Sequence, residues 1–217
     1  MEIQNRHGFS LIELMVTLVV ASIVIGGIYL TSVSQERSMH IEDRVSELQG
    51  NLRAGIYILS KDLRSAGYNP NCTSPPCTGF TSASNAAISF VRNNPTTNNQ
   101  ETISYFLYDS GGDGDMDLGR AINGSGPQPV VENTDAINFV FFDKDGNRLF
   151  PPLSTTDLAN IKVVEICLVG HSSVGDPNYS AAGRSFQNLQ GETIFTAPAD
   201  SFRRRMIRAR VFCRNNT

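Results

Sequence analysis

The sequence predicts an α+β fold, with one long N-terminal helix followed by an antiparallel β-sheet. Three observations carry this. Between Phe9 and Ser34 the only charged side chain is Glu13, so the first stretch is apolar on every side. From Ile41 to Ala66 apolar residues return at helical spacing, so the second stretch is apolar on one face. After Gly67 the pattern changes to short runs rich in Val, Ile, Phe and Tyr, bounded by Gly, Pro, Asn and Asp.

The first element is the apolar run. Counted from Phe9 to Leu30 it supplies about the ~20 residues a helix needs to cross a ~30 Å hydrocarbon layer. Arg6 and the chain's amine lie on its short side, which places the leader in the cytoplasm and the remainder outside. Tyr29 falls near the far interface, where aromatic rings are favoured. Ser32-Val33-Ser34 is a poor small-x-small cleavage site, so an uncleaved signal anchor is one reading of this run. Glu13 is the anomaly. A carboxylate in an apolar helix costs about 2.5–3.5 kcal/mol on the insertion scale, which makes it a functional candidate unless it stays hydrated near an interface. It sits one turn from Phe9, on the same face. A cut after Gly8 gives Phe9 an α-amine with a reference pKa of about 8, a counter-ion that a neighbouring copy can present.

The second element continues the helix. Ile41, Val45, Leu48, Leu52, Ile56, Leu59, Leu63 and Ala66 form one stripe, and Glu42, Asp43, Glu47, Arg53, Lys61 and Arg64 occupy the other faces. No proline interrupts before Asn69, and Gly67 followed by Pro70 is a stop signal. A helix from Ser10 to Ala66 is expected, ~85 Å long at 1.5 Å per residue. Gly26-Gly27 is a weak point or a close-packing point within it.

The sheet follows. Strands are expected at Ala86–Val91, Thr102–Tyr108, Ile137–Phe142, Arg148–Phe150, Ile161–Val169 and Arg205–Cys213. Asp143-Lys144-Asp145-Gly146-Asn147 reads as a hairpin turn. Asn69–Ala86, Asp109–Pro129 and His171–Phe202 read as long loops. The expected organisation is a leader at 1–8, a membrane or filament-core half-helix at 9–34 and a soluble domain at 35–217, its helix at 35–67 and its sheet at 68–217.

Charge and cysteine usage narrow the function classes. A net charge of −3 argues against nucleic acid as the main partner, although Arg203, Arg204, Arg205, Arg208, Arg210 and Arg214 make the C-terminus basic. Those arginines are candidates for DNA, acidic polysaccharide or an acidic patch on a neighbour, against the plainer reading of a solvated strand edge. Cys72, Cys77, Cys167 and Cys213 fit no zinc spacing. Exported by the head segment, they enter an oxidising compartment. Of the three connectivities, Cys72–Cys77 and Cys167–Cys213 are favoured, with buried free thiols as the alternative. Asp109, Asp113, Asp115 and Asp117, in a glycine-bent loop, are candidate calcium ligands, although Arg120 stands where an EF-hand has its bidentate glutamate. Otherwise no cofactor is expected. No histidine cluster, nucleophile elbow or phosphate-binding glycine loop is present, so no enzyme is expected.

The head Gly8-Phe9-Ser10-Leu11-Ile12-Glu13-Leu14 resembles the class III signal sequence of type IV pilins and pseudopilins. The resemblance implies the pilin fold, cleavage after Gly8 by a prepilin peptidase, N-methylation of Phe9, and pairing of Glu13 with a neighbouring subunit's N-terminus. Leu59-Ser60-Lys61-Asp62-Leu63-Arg64-Ser65-Ala66-Gly67-Tyr68, Tyr105–Asp109, Ile161–Ile166 and the arginine-rich tail resemble PilW-type minor pilins. Unlike many major pilins, the chain has no proline near Leu30. What this implies is a minor pilin taking part in pilus assembly or initiation, with other pilins, minor pilins, the peptidase/methyltransferase and the inner membrane as partners. The implied location is the bacterial inner membrane, single-pass with a periplasmic C-terminal domain, and then the pilus or cell surface. A type II secretion pseudopilin and an adhesin or DNA-uptake subunit are the rival readings.

Overall fold

The computed structural model describes residues 10–70 and 79–216. Residue contacts divide the chain into two units, residues 1–43 and 44–217. A continuous helix α1, Leu11–Arg64, runs through Gly26-Gly27 without interruption. The first unit contributes its apolar half. The second holds the rest of α1 together with all the strands.

In the second unit the strands form two main antiparallel sheets. One is a five-stranded meander of β1 (Phe80–Ala83), β2 (Ile88–Asn93), β3 (Gln100–Tyr108), β4 (Asp117–Ile122) and β5 (Gln128–Val131), in that order. The other contains β6 (Thr134–Phe142), β7 (Arg148–Leu149), β8 (Val163–His171) and β11 (Arg204–Phe212), ordered β11-β8-β6-β7. Leu48, Leu52, Leu59 and Leu63 of α1, with Ala66 just past its end, join one core with Phe90, Ile103 and Tyr105 of the first sheet and Phe139, Phe141, Ile166 and Leu168 of the second. The stripe read from the sequence is therefore the buried face. Its first members, Ile41 and Val45, are only half-buried.

Two glycines set how α1 meets the sheets. Gly55 lies so close to β5 that an added Cβ would stand 2.0 Å from Val131 Cγ2. Gly67 ends the helix with φ +78°, where its amide reaches Val91 O at 2.8 Å and a Cβ would stand 2.5 Å from Asn215 O. A left-handed residue with no room for a side chain must be glycine.

The three segments read as loops carry short strands. Asn69–Ala86 contains β1, and Asp109–Pro129 contains β4 and the start of β5. His171–Phe202 contains β9 (Ser185–Gln187) and β10 (Thr193–Thr196), which pair with each other. That hairpin explains why β8 is buried along its whole length. Val164, Ile166 and Leu168 face the α1 core, while Val169 joins a second apolar cluster with Ala181, Phe186 and Ala197. A short helix, α2 (Thr155–Asn160), follows a capping box in which Ser154 and Asp157 each bond the other's backbone amide.

The expected Cys167–Cys213 disulfide is corrected. Both thiols are free. In the β8–β11 ladder Cys167 pairs with Arg208, and Cys213 lies five residues further on. That is about 17 Å along the strand at ~3.4 Å per residue, whereas a disulfide needs its Cα atoms within about 7 Å. The two residues also face opposite ways, Cys213 toward the α1 core and Cys167 away from it. Burial pushes the Cys213 thiol up to about 12 and raises Cys167 as well. The expected Cys72–Cys77 pair lies outside the described residues.

Candidate functional site

Every large apolar side chain from Leu11 to Leu30 is between 53% and 77% exposed in the single chain. Burying a Leu, Ile or Val is worth roughly 1.5–3 kcal/mol, so a contiguous surface of this kind is a binding surface for lipid or for other apolar helices. α1 is long and apolar enough to cross a membrane. Three of its hydroxyl groups are paired with the helix backbone. Thr17 Oγ1 donates to Leu14 O at 2.9 Å, Ser22 Oγ to Leu18 O at 2.8 Å, and Thr31 Oγ1 to Ile28 O at 2.8 Å. With these hydroxyls and the helical backbone paired inside the segment, the half-helix suits an apolar environment.

Glu13 sits in the first turn. Its Oε2 accepts a hydrogen bond from Ser10 N at 3.0 Å, and Leu14 N donates to Ser10 O at 3.2 Å. This is half of a capping box, with the carboxylate near the positive end of the helix dipole. Gly8 and Phe9, where processing is expected, lie outside the described residues. A Cβ added at Gly26 or Gly27 meets nothing within 4 Å. The glycines thus leave open surface on the helix.

A second carboxylate on the same helix is treated differently. Asp62 is 5% exposed. Its Oδ1 accepts from Arg92 Nη1 at 3.0 Å, and its Oδ2 from Arg120 Nε at 2.6 Å and Tyr105 Oη at 2.7 Å. Arg92 also donates to Ser65 Oγ at 3.0 Å. Burial first, then the neighbouring Asp62 charge, holds the Tyr105 phenol well above its ordinary range. Burial alone would loosen the Arg120 proton, but the bond and charge of Asp62 outweigh it and raise that group. Asp62 thereby ties α1 to β2, β3 and β4. Sequence reasoning missed it, because Arg92 and Arg120 are distant in the chain and on different strands. Its position among the buried stripe residues Leu59, Leu63 and Ala66 was the available signal.

The other expected sites fall in separate places. Of the four aspartates expected to bind calcium, Asp109, Asp113 and Asp117 accept hydrogen bonds from nearby backbone, and Asp115 Oδ1 lies 3.9 Å from His171 Nε2. Asp109 accepts from Gly112 N at 2.6 Å and Gly114 N at 3.1 Å, and Asp113 from Asp115 N at 3.1 Å. Asp117 is buried and accepts from Asn133 N at 3.0 Å and from both Ser110 donors. Among the described residues no group of three or more His, Cys, Asp and Glu converges as metal ligands. The C-terminal arginines also divide. Arg203 pairs with Asp176 at 2.6 Å, and Arg204, nearly buried, pairs with Asp135 and Asp200. Arg210 lies 3.5 Å from Glu165 and over the Phe142 ring. Arg208 donates to Gln187 O.

The tail after β11 closes the far end of α1. Asn215 Nδ2 donates to Arg64 O at 3.0 Å, capping the helix from elsewhere in the chain. Asn216 is fully buried. Its Nδ2 reaches Leu158 O, Ala159 O and Ile161 O, and its Oδ1 accepts from Gly79 N at 2.6 Å.

Residues 3–29 match the prokaryotic N-terminal methylation motif. The structure is similar to a type IV-like pilin from Thermus thermophilus, with a TM-score of 0.53 and 16% identity over 79% of this chain and 99% of that one. The fold is that of a type IV-like pilin. No curated protein matches the sequence. In this pilin fold the methylation motif covers the exposed apolar half of α1 and includes Glu13, while Asp62 and the tail belong to the packed half.

Proposed function

We propose that this chain is a minor pilin of a type IV pilus, acting in pilus assembly or its initiation. It is made as a prepilin, cut after Gly8 by a prepilin peptidase, and methylated at the new terminus, Phe9. Phe9–Leu30 holds it in the inner membrane with the domain in the periplasm. The same surface then packs among the helices of other pilin subunits at the pilus. The reading rests on one observation above the rest: a methylation motif lying on a half-helix whose large apolar side chains from Leu11 to Leu30 are all more than half exposed.

The chain's own work is packing, and the covalent chemistry belongs to the peptidase and methyltransferase. Once cleavage frees the Phe9 amine, that cation and the Glu13 carboxylate are the charged groups of the apolar stretch up to Ser34. Pairing between copies removes the cost of placing either among apolar helices.

Mass spectrometry of the mature N-terminus tests this. N-methyl-Phe9 is expected in the wild type, and Gly8→Ser is expected to leave the leader attached. A mature wild-type chain that retains Met1 overturns the reading in favour of a signal anchor. A start near Gln35 overturns it in favour of ordinary secretion.

A further inference from the structure

A hollow of about 490 Å³ opens where α1 ends beside the end of β11, lined by Arg64, Arg210, Phe212, Arg214 and Asn215. Three guanidinium groups bound it. Arg210 shares Glu165 at 3.5 Å, but among the described residues Arg64 and Arg214 have no carboxylate within 4.0 Å. In a chain of net charge −3, arginines gathered at one hollow with a single carboxylate partner among the described residues give it a positive potential.

The opposite potential lies at the other end of the same unit. The β3–β4 loop is exposed from Asp109 to Met116 and carries Asp109, Asp113 and Asp115 with no Lys or Arg. Asp115 Oδ1 is 3.9 Å from His171 Nε2, and His171 pairs in the ladder with Arg204, the first residue of β11. Arg214 lies just beyond the last residue of that strand. The loop and the hollow are thus separated by the nine-residue length of β11, about 30 Å at ~3.4 Å per residue. The arginines near the acidic end do not cancel the loop, since Arg203 and Arg204 are committed to Asp176, Asp135 and Asp200. One end of the unit is a projecting acidic loop and the other an arginine-lined recess.

We propose that the arginine-lined hollow receives the β3–β4 acidic loop of a second copy of this chain. Copies are thereby joined head to tail with α1 running the same way in each. Such a contact is heterologous and does not close on itself, so it propagates along a line rather than ending at a dimer. Asp113, held at the loop tip by its bond to Asp115 N, and Asp115 offer carboxylates to Arg64 and Arg214, and Phe212, 60% exposed, forms the apolar wall of the recess. The inference rests on the pilin-subunit reading for its parallel arrangement of helices.

The test uses the full chain in detergent, prepared as two fluorescently labelled populations whose energy transfer reports association. Arg64→Glu with Arg214→Glu reverses the hollow, and Asp113→Lys with Asp115→Lys reverses the loop. None of these four side chains packs in the core, so unchanged circular dichroism and thermal unfolding are the folding control. Each double variant alone is expected to lose association by on the order of tenfold or more, because like charges then face each other across the contact. Mixing the two double variants is expected to restore it, because every copy then meets an end of opposite charge. Association unaffected by either reversal overturns the proposal. So does loss in the arginine variant alone, which would assign the hollow to a different anion, and so does failure of the mixture to recover. N-terminal mass spectrometry on the same preparations keeps the two readings apart. An uncut chain whose mixed variants still recover sinks the pilin reading and leaves the contact standing.

Discussion

The two halves of α1 solve the same problem in opposite ways. Each contains a carboxylate among apolar residues. In the packed half Asp62 is buried and is answered inside the chain, by Arg92, Arg120 and Tyr105. In the exposed half Glu13 accepts from one backbone amide of its own turn, and the large apolar side chains around it are more than half exposed. A charge closed off by its own fold stabilises that fold. A charge left with unfilled acceptor capacity in an apolar surface selects whatever covers that surface. Under the proposed function, one continuous helix carries a stability device at one end and an assembly device at the other.

The largest effect separates the two devices outright. Glu13→Val is expected to abolish incorporation into filaments while leaving thermal unfolding of the domain unchanged, checked by pilus shearing and immunoblot alongside a melting curve. Normal incorporation of that variant would break the comparison. Asp62→Ala is expected to do the reverse. It leaves two arginines facing a partner that has gone, and a broken buried pair costs about 3–5 kcal/mol. Chemical denaturation of the full chain in detergent should show the loss, and a change under 1 kcal/mol would mean that Asp62 does not hold α1 to the sheet.

Glycines sharpen the same contrast with a smaller effect. Gly55→Ala sets a methyl against Val131, where overpacking costs typically 1–3 kcal/mol. Gly26→Ala meets open space and is expected to favour the helix by up to about 1 kcal/mol. Equal destabilisation by both substitutions would show that the first half is packed within its own chain.

The smallest expected effect is pH-dependent and confined to the domain. Glu192 accepts both Arg148 Nη donors at 2.7 Å and Asn188 Nδ2 at 2.7 Å, and the Arg148 bonds first, then Asn188, lower its pKa to about 2. A folded pKa below the unfolded value means that the pair stabilises above the unfolded pKa of about 4.3 and that this contribution is lost as pH falls through about 2. Glu192 is half exposed, so solvent screening keeps the contribution within about 1 kcal/mol. NMR titration of its carboxyl should find the low value, and Arg148→Gln should raise it toward the ordinary range, with the Asn188 bond still holding it below.

Much of this was legible in the residues. The α1 stripe, its stop at Gly67 and the strands from β2, β3, β6, β8 and β11 were read within two or three residues of their bounds, because periodicity is a local property. The strands of the long polar segments were not. β1, β9 and β10 are three or four residues long and polar at their exposed positions. What makes them strands is a neighbour to pair with, and no window of sequence contains that neighbour. The Cys167–Cys213 error has the same origin. Both strands were identified, but their register, which sets the cysteines five residues apart, is a relation between distant segments.

By itself, then, the sequence determined the class of the molecule: an apolar half-helix with a single carboxylate, an amphipathic half-helix, a glycine stop and a strand-rich remainder. Each follows from the chemistry and spacing of neighbouring residues. The tertiary structure alone decided that Asp62 meets two arginines and a tyrosine from three strands, and that Gly55 must admit Val131. It also decided that Asn215 and Asn216 close the ends of helices far from them in sequence. Those outcomes depend on which surfaces the folded chain brings within a few ångströms, and nothing local to any one of the residues encodes them.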